Sequence, residues 1–123
     1  MLSRKNLKFY CNTDSKIYLK EGSATDLEFI KTEGIDFICT HPPYANIIKY
    51  SKGIKGDISQ LEVEEFLIMM KKVAGESYRI LKKGKYCAFM MGDIRKYGNV
   101  IPLGFKTMNC FLEAGFKVKG NYY

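Results

Sequence analysis

The residues best placed to do chemistry stand together at Thr40-His41-Pro42-Pro43-Tyr44. They follow an apolar run, Ile35 to Cys39, which reads as a short buried strand. Prolines cannot donate to a sheet ladder, so the strand must stop there. A residue that precedes proline is pushed to extended geometry, which holds His41 and Pro42 extended and presents Tyr44 at the strand's carboxyl end. Two prolines stiffen the backbone and leave its carbonyls directed into whatever cleft lies at that end. In open α/β sheets, ligands bind at this edge. His41 has two readings. A neutral imidazole has one acceptor nitrogen and can take a hydrogen bond from a ligand, whereas a protonated one cannot. The alternative is that it fills a turn position with a structural hydrogen bond.

The elements around this stretch must position it. Lys16 to Lys20 alternates, with Ile17 and Leu19 on one face, and reads as a strand. Leu7 to Cys11 alternates in part. Gly22-Ser23-Ala24 follows, with small residues that let backbone approach a ligand. Asp26 to Lys31 suits a short helical turn, and Gly34 introduces the central strand. Ala45 to Gln60 reads as a long basic loop or broken helix carrying Lys49, Lys52 and Lys55, a pattern common in binding loops.

Ser59 and Glu62 have the spacing of a capping box. The helix they open shows one apolar face through Phe66, Met69, Met70, Val73, Ala74, Ser77, Ile80 and Leu81. Lys82 and Lys83 suit its end, and Gly84 a left-handed stop. Lys85 to Met91 is a second buried strand. It exits at Gly92-Asp93, where Asp93 is either a cleft residue or a cap. Arg95, Lys96 and Tyr97 form a basic, aromatic turn. Pro102 suits the first turn of a second helix that stops at Gly115-Phe116. A last strand starts at Phe116 and runs to Tyr122. This alternation implies one α/β domain over residues 1–123, built on a largely parallel sheet.

Composition bounds the function. No apolar run reaches the roughly 20 residues of a membrane span, and the start shows no signal-peptide pattern. The four cysteines have no CxxC spacing, and Cys39 and Cys87 fall in predicted strands, so they read as buried hydrophobes in a reducing cytoplasm. With one histidine in the chain, no zinc site is expected. A net charge of +7 fits a polyanionic partner.

His41-Pro42-Pro43-Tyr44 after an apolar strand resembles the Asp/Asn/Ser-Pro-Pro-Tyr signature of S-adenosylmethionine-dependent amino-methyltransferases, above all the DNA adenine-N6 and cytosine-N4 enzymes. His41 takes the place of the usual acid, amide or hydroxyl. Gly22-Ser23-Ala24-Thr25-Asp26-Leu27 resembles the loop beside the donor's adenine, and Ile80 to Tyr86 the family's Leu-Lys-Pro-Gly-Gly turn, with Lys83 for proline. Met91-Gly92-Asp93-Ile94-Arg95 is similar to the exit of the strand that follows.

The resemblance implies a Rossmann-like methyltransferase fold, here partial. The chain has no Gly-x-Gly donor loop and lacks the first strands and helices, so it looks like the C-terminal half of the catalytic domain. It implies that His41, Pro42, Pro43 and Tyr44 serve the target amine, with Tyr44 stacked on the base. Gly22, Ser23, Ala24 and Thr40 would lie against S-adenosylmethionine. Lys49, Lys52, Lys55, Arg95 and Lys96 would meet the phosphates of DNA. Related enzymes with similar turns act on RNA guanine or a protein glutamine. A non-catalytic remnant, binding nucleic acid or oligomerising, is a further expectation. An open sheet edge would favour a second copy or a complementary chain that brings the donor loop.

Overall fold

Twenty-three residues with apolar side chains at three-four spacing form the longest element, helix α1 (Ile58–Ile80). The structure, a computed structural model, describes residues 14–42 and 58–120. Before α1 comes strand β1 (Ile35–Thr40). After it come β2 (Leu81–Phe89), β3 (Ile94–Lys96), β4 (Asn99–Ile101) and helix α2 (Leu103–Ala114). Among the described residues no helix is long and apolar enough to cross a membrane.

The chain is a mixed α/β fold whose centre is a parallel pair, β1 beside β2. Phe37 pairs with Tyr86, Ile38 with Cys87, Cys39 with Ala88 and Thr40 with Phe89. Residues paired across strands share a face. Ile38, Thr40, Cys87 and Phe89 are half-buried, and Cys87 and Phe89 pack on the core. That core joins Val63, Phe66, Met70, Val73 and Ala74 of α1 to Leu103, Cys110 and Phe111 of α2, with Ile94 between. Phe89 and Phe111 meet at 4.8 Å between ring centroids, and Phe111 meets Phe116 at 5.3 Å. Both helices therefore cover one face of the pair. The opposite face carries Phe37 and Tyr86, both more than half exposed, together with exposed Cys39 and Ala88. Cys39 is thus not the buried residue its strand position implied.

The predicted strands at Ile35–Cys39 and Lys85–Met91, and both predicted helices, are present with shifted ends. α1 stops at Ile80, ahead of the predicted lysines, because Leu81 already pairs with Ile35. The pairing next resumes at Phe37 and Tyr86, so Lys82 to Lys85 loop out opposite Asp36. Gly84 takes a positive φ of 76° inside that loop, and Lys82 Nζ bonds Asp36 Oδ1 at 2.9 Å across it. Met69 is half exposed, since it sits a full residue step off the stripe through Phe66, Met70, Val73 and Ser77. Val63 joins that stripe instead.

Three expected elements are absent, and a fourth is refined. Lys16 to Lys20 is irregular and exposed, and among the described residues no strand lies beside it to offer a ladder. Asp26 to Lys31 forms hydrogen-bonded turns rather than a helical turn, with Ile30 N–H donating to Leu27 O at 2.8 Å. Residues 116–120 form no strand, since Phe116 folds back onto Phe111 and Tyr78. The Arg95–Tyr97 turn is in fact a short antiparallel hairpin of β3 and β4. The predicted strand at Leu7–Cys11 and the loop through Lys49, Lys52 and Lys55 lie outside the described residues.

Gly115 ends α2 as predicted. Its φ is 117°, and its N–H donates to Leu112 O at 3.1 Å while Phe116 N–H reaches Phe111 O at 3.1 Å. A Cβ there would stand 2.8 Å from the Tyr78 ring. Gly115→Ala is therefore expected to lower unfolding free energy by about 1–3 kcal/mol in urea titrations. Gly75 sits on an exposed helical face with nothing within 4 Å of its would-be Cβ. Gly75→Ala should raise stability by about 1 kcal/mol in the same assay.

Candidate functional site

The aim of β1 is set at its amino end by one charged clamp. Glu76 and Arg79 lie one turn apart on the last part of α1, with Arg79 Nη2 2.8 Å from Glu76 Oε2 and Nε 3.0 Å from Oε1. Neither spends its bonding capacity on the other alone. Glu76 Oε2 also accepts the Leu27 N–H at 2.7 Å. Arg79 donates to Leu27 O at 3.0 Å and to Ile30 O at 2.9 Å. Glu33 N–H returns a bond to the Arg79 carbonyl at 2.9 Å. The turns that feed β1 are thereby tied to the helix that feeds β2. The Arg79 hydrogen bonds, helped by the Leu27 N–H, pull the Glu76 carboxyl down to about 2.

At the other end, Thr40, His41 and Pro42 follow one another off β1. Thr40 is half-buried, His41 exposed and Pro42 buried. The Thr40 carbonyl accepts the Met90 N–H at 2.9 Å, which extends the pairing past the end of β2. The exits of both strands are thus held side by side. Asp93 resolves as a cap: its Oδ1 accepts the Gly104 N–H at 3.0 Å, satisfying one open donor at the start of α2. The hairpin leads off directly after Asp93. Arg95 is exposed on it, while Lys96 is 9% exposed.

The structure therefore brings Thr40, His41 and Pro42 to the same sheet edge as Met90 to Asp93, with Arg95 and Lys96 just beyond. Pro43, Tyr44, Lys49, Lys52 and Lys55 lie outside the described residues. Gly22, Ser23 and Ala24 form an exposed turn with local partners. Ser23 Oγ meets Thr25 Oγ1 at 2.7 Å, Ser23 O accepts the Asp26 N–H at 3.1 Å, and Gly22 packs against Phe29. No described bond links that turn to Thr40.

Cys87 is pushed up to about 11 by burial, with the neighbouring Cys39 thiol adding to the shift, and burial raises Cys110 as well. Such thiols are poor nucleophiles at neutral pH. Among the described residues no three His, Cys, Asp or Glu side chains gather as a metal site.

Sequence reading missed the Glu76–Arg79 clamp and gave Tyr97 no role. The three-residue spacing of opposite charges on a helix was a signal for the first. For the second only Gly98 was a turn signal, since neither Ile94-Arg95-Lys96 nor Asn99-Val100-Ile101 alternates and Tyr-Gly is not a favoured hairpin pair. No family model, curated protein or solved structure matches this chain.

Glu76 has a depressed folded value, so its contribution is present above the ordinary carboxylate range and is lost as pH falls toward about 2. The urea midpoint is expected to drop between about pH 5 and that value. Glu76→Gln should lower the midpoint at neutral pH and flatten its acid limb. Asp93→Ala should cost about 1 kcal/mol in urea unfolding through the lost cap.

Proposed function

We propose that this chain is the acceptor-side part of an S-adenosylmethionine-dependent amino-methyltransferase that acts on a DNA base, at adenine-N6 or cytosine-N4. One observation carries the reading: a parallel strand–helix–strand unit ends with Thr40, His41 and Pro42 at the carboxyl edge, where open parallel sheets take ligands. Such a unit is also the building block of a Rossmann-like methyltransferase sheet. The net charge of +7 supports a polyanionic target.

In this reading the amine of the base is a poor nucleophile, because its lone pair is delocalised into the ring. The Pro42 carbonyl and a neutral His41 imidazole accept its hydrogens and draw the nitrogen toward tetrahedral geometry. Tyr44 stacks on the base. In a duplex the base must be flipped out at a cost of a few kcal/mol, which stacking worth about 1–3 kcal/mol offsets. The methyl donor supplies the electrophile when bound. The described residues do not fit it by themselves. Gly22, Ser23 and Ala24 bond locally and make no cradle, and the Thr40 carbonyl is already engaged by Met90. No step is therefore assigned through the donor. These same observations favour a second reading, in which the chain is a basic nucleic-acid-binding or oligomerising module without catalysis of its own.

The test is a fluorescence titration with duplexes that carry 2-aminopurine at one position, matched or mismatched. The reading predicts tighter binding to the mismatched duplex and a fluorescence rise as the base leaves the stack. Tyr44→Ala should weaken that binding by about fivefold or more. Equal affinity for both duplexes, unchanged by Tyr44→Ala, would reject the amine-acceptor role and leave the module. Calorimetry with S-adenosylhomocysteine up to millimolar should show no saturable heat. Micromolar binding would return the donor site to this chain.

A further inference from the structure

Parallel strands that are covered on both faces read as runs of valine, isoleucine and leucine. The outer positions of β1 and β2 carry none of these. They are Phe37 and Cys39 on β1, and Tyr86 and Ala88 on β2, with Met90 just past its end. Met90 belongs to this face because Phe89 before it and Met91 after it pack on the core. Phe37 is 57% exposed, Tyr86 58% and Met90 69%. A tyrosine hydroxyl needs a hydrogen-bond partner when it is buried, so Tyr86 suits a face that stays wet. Phe89, Phe111 and Phe116 meet one another as ring pairs, whereas among the described residues neither Phe37 nor Tyr86 meets another ring.

The register indicates what this face can hold. Phe37 pairs directly with Tyr86, so the two rings stand side by side on strands about 4.8 Å apart. Cys39 and Ala88, the next outer pair, are small and exposed. They make a shallow floor between the rings and Met90, within the roughly 13 Å that four extended residues span. A flat base can lie on such a floor against a ring. Lys83 and Lys85 are exposed just ahead of Tyr86. Asp36, the acid on the neighbouring strand, has its carboxylate on Lys82 Nζ at 2.9 Å. Exposed aromatic side chains on a sheet face, with cations alongside, take single strands by stacking and by phosphate contact. The net charge of +7 draws the same partner.

We propose that the outer face of the parallel pair is a stacking platform for single-stranded nucleic acid, with Phe37 and Tyr86 holding bases and Lys83 and Lys85 the adjoining phosphates. The inference rests on the nucleic-acid part of the proposed function and gives the module of the second reading its surface. It does not rest on methyl transfer or on Tyr44. Stacking is base-tolerant, so the platform accepts a strand with no exocyclic amine at all.

The experiment is fluorescence anisotropy with labelled oligothymidine over a series of salt concentrations. Phe37→Leu and Tyr86→Leu keep an apolar side chain and remove the ring. Each should weaken binding about fivefold or more at every salt concentration while leaving the salt slope unchanged. Tyr86→Phe should bind as wild type. Lys83→Gln combined with Lys85→Gln should reduce the salt slope by about 1.4, roughly 0.7 for each lost phosphate on a single strand. Thermal melts accompany each variant. The wild-type protein supplies a readout that no folding defect can imitate. Cys39 is exposed on the floor of the platform, so iodoacetamide should alkylate it in the free protein and do so more slowly under saturating oligothymidine. No binding of oligothymidine, leucine variants that bind as wild type, or alkylation of Cys39 unchanged by the strand would each overturn the proposal. Cys39 protected before any strand is added would mean that protein, such as a second copy, covers the face, and would overturn it too. Thymine has no amine, so success here alongside failure of the mismatch test would keep the platform and discard the amine-acceptor role.

Discussion

Two parallel strands cannot be joined by a tight turn, so the chain that leaves β1 at Thr40 must travel back along the sheet before it enters β2 at Leu81. Helix α1 makes that return. Its 23 residues span about 34 Å, whereas the six of β1 span about 20 Å. The helix overshoots the strand, and its last turn reaches the turns that precede β1. The Glu76–Arg79 clamp sits there and bonds Leu27 and Ile30. Strand aim at one end and helix position at the other are therefore coupled. The exits of β1 and β2 at Thr40 and Met90 lie side by side because their entrances are tied to one helix.

Among the described residues, the helices cover one face of the sheet. Parallel pairs normally bury both faces. Here α1 and α2 share one face through Phe66, Val73, Leu103 and Phe111, and Phe37 and Tyr86 stay exposed on the other.

Much of this was legible in the residues. The apolar run Ile35–Cys39 stopped by prolines, the three-four stripe from Phe66 to Ile80 and the Gly115 stop each encode their element locally, and each is present. What failed depended on neighbours. Lys16 to Lys20 alternates like a strand, but a strand exists only where a partner offers a ladder. Phe116 to Tyr122 has strand composition, yet Phe116 is drawn onto Phe111 and Tyr78. Cys39 is apolar in pattern and exposed in fact, since burial depends on what covers the sheet. The clamp was half visible for a related reason: the Glu76–Arg79 spacing shows in the sequence, but the backbone groups of Leu27 and Ile30 that it binds are far away and have no side-chain signature. For the candidate site, the sequence marked the strand exit at Thr40 to Pro42 but not the hairpin after Asp93, whose turn through Tyr97 and Gly98 is set by backbone angles.

The central claim is that the carboxyl edge of the parallel pair, with the outer face that leads up to it, is the nucleic-acid face. Amide chemical-shift mapping of the whole chain with a short single-stranded oligonucleotide tests this most directly. The account predicts that, among the described residues, the shifted amides cluster at Phe37 to His41 and Tyr86 to Lys96, with little change at Leu27 to Gly34 or along the last turn of α1. Shifts centred on the clamp end, or spread evenly over the surface lysines, would contradict it.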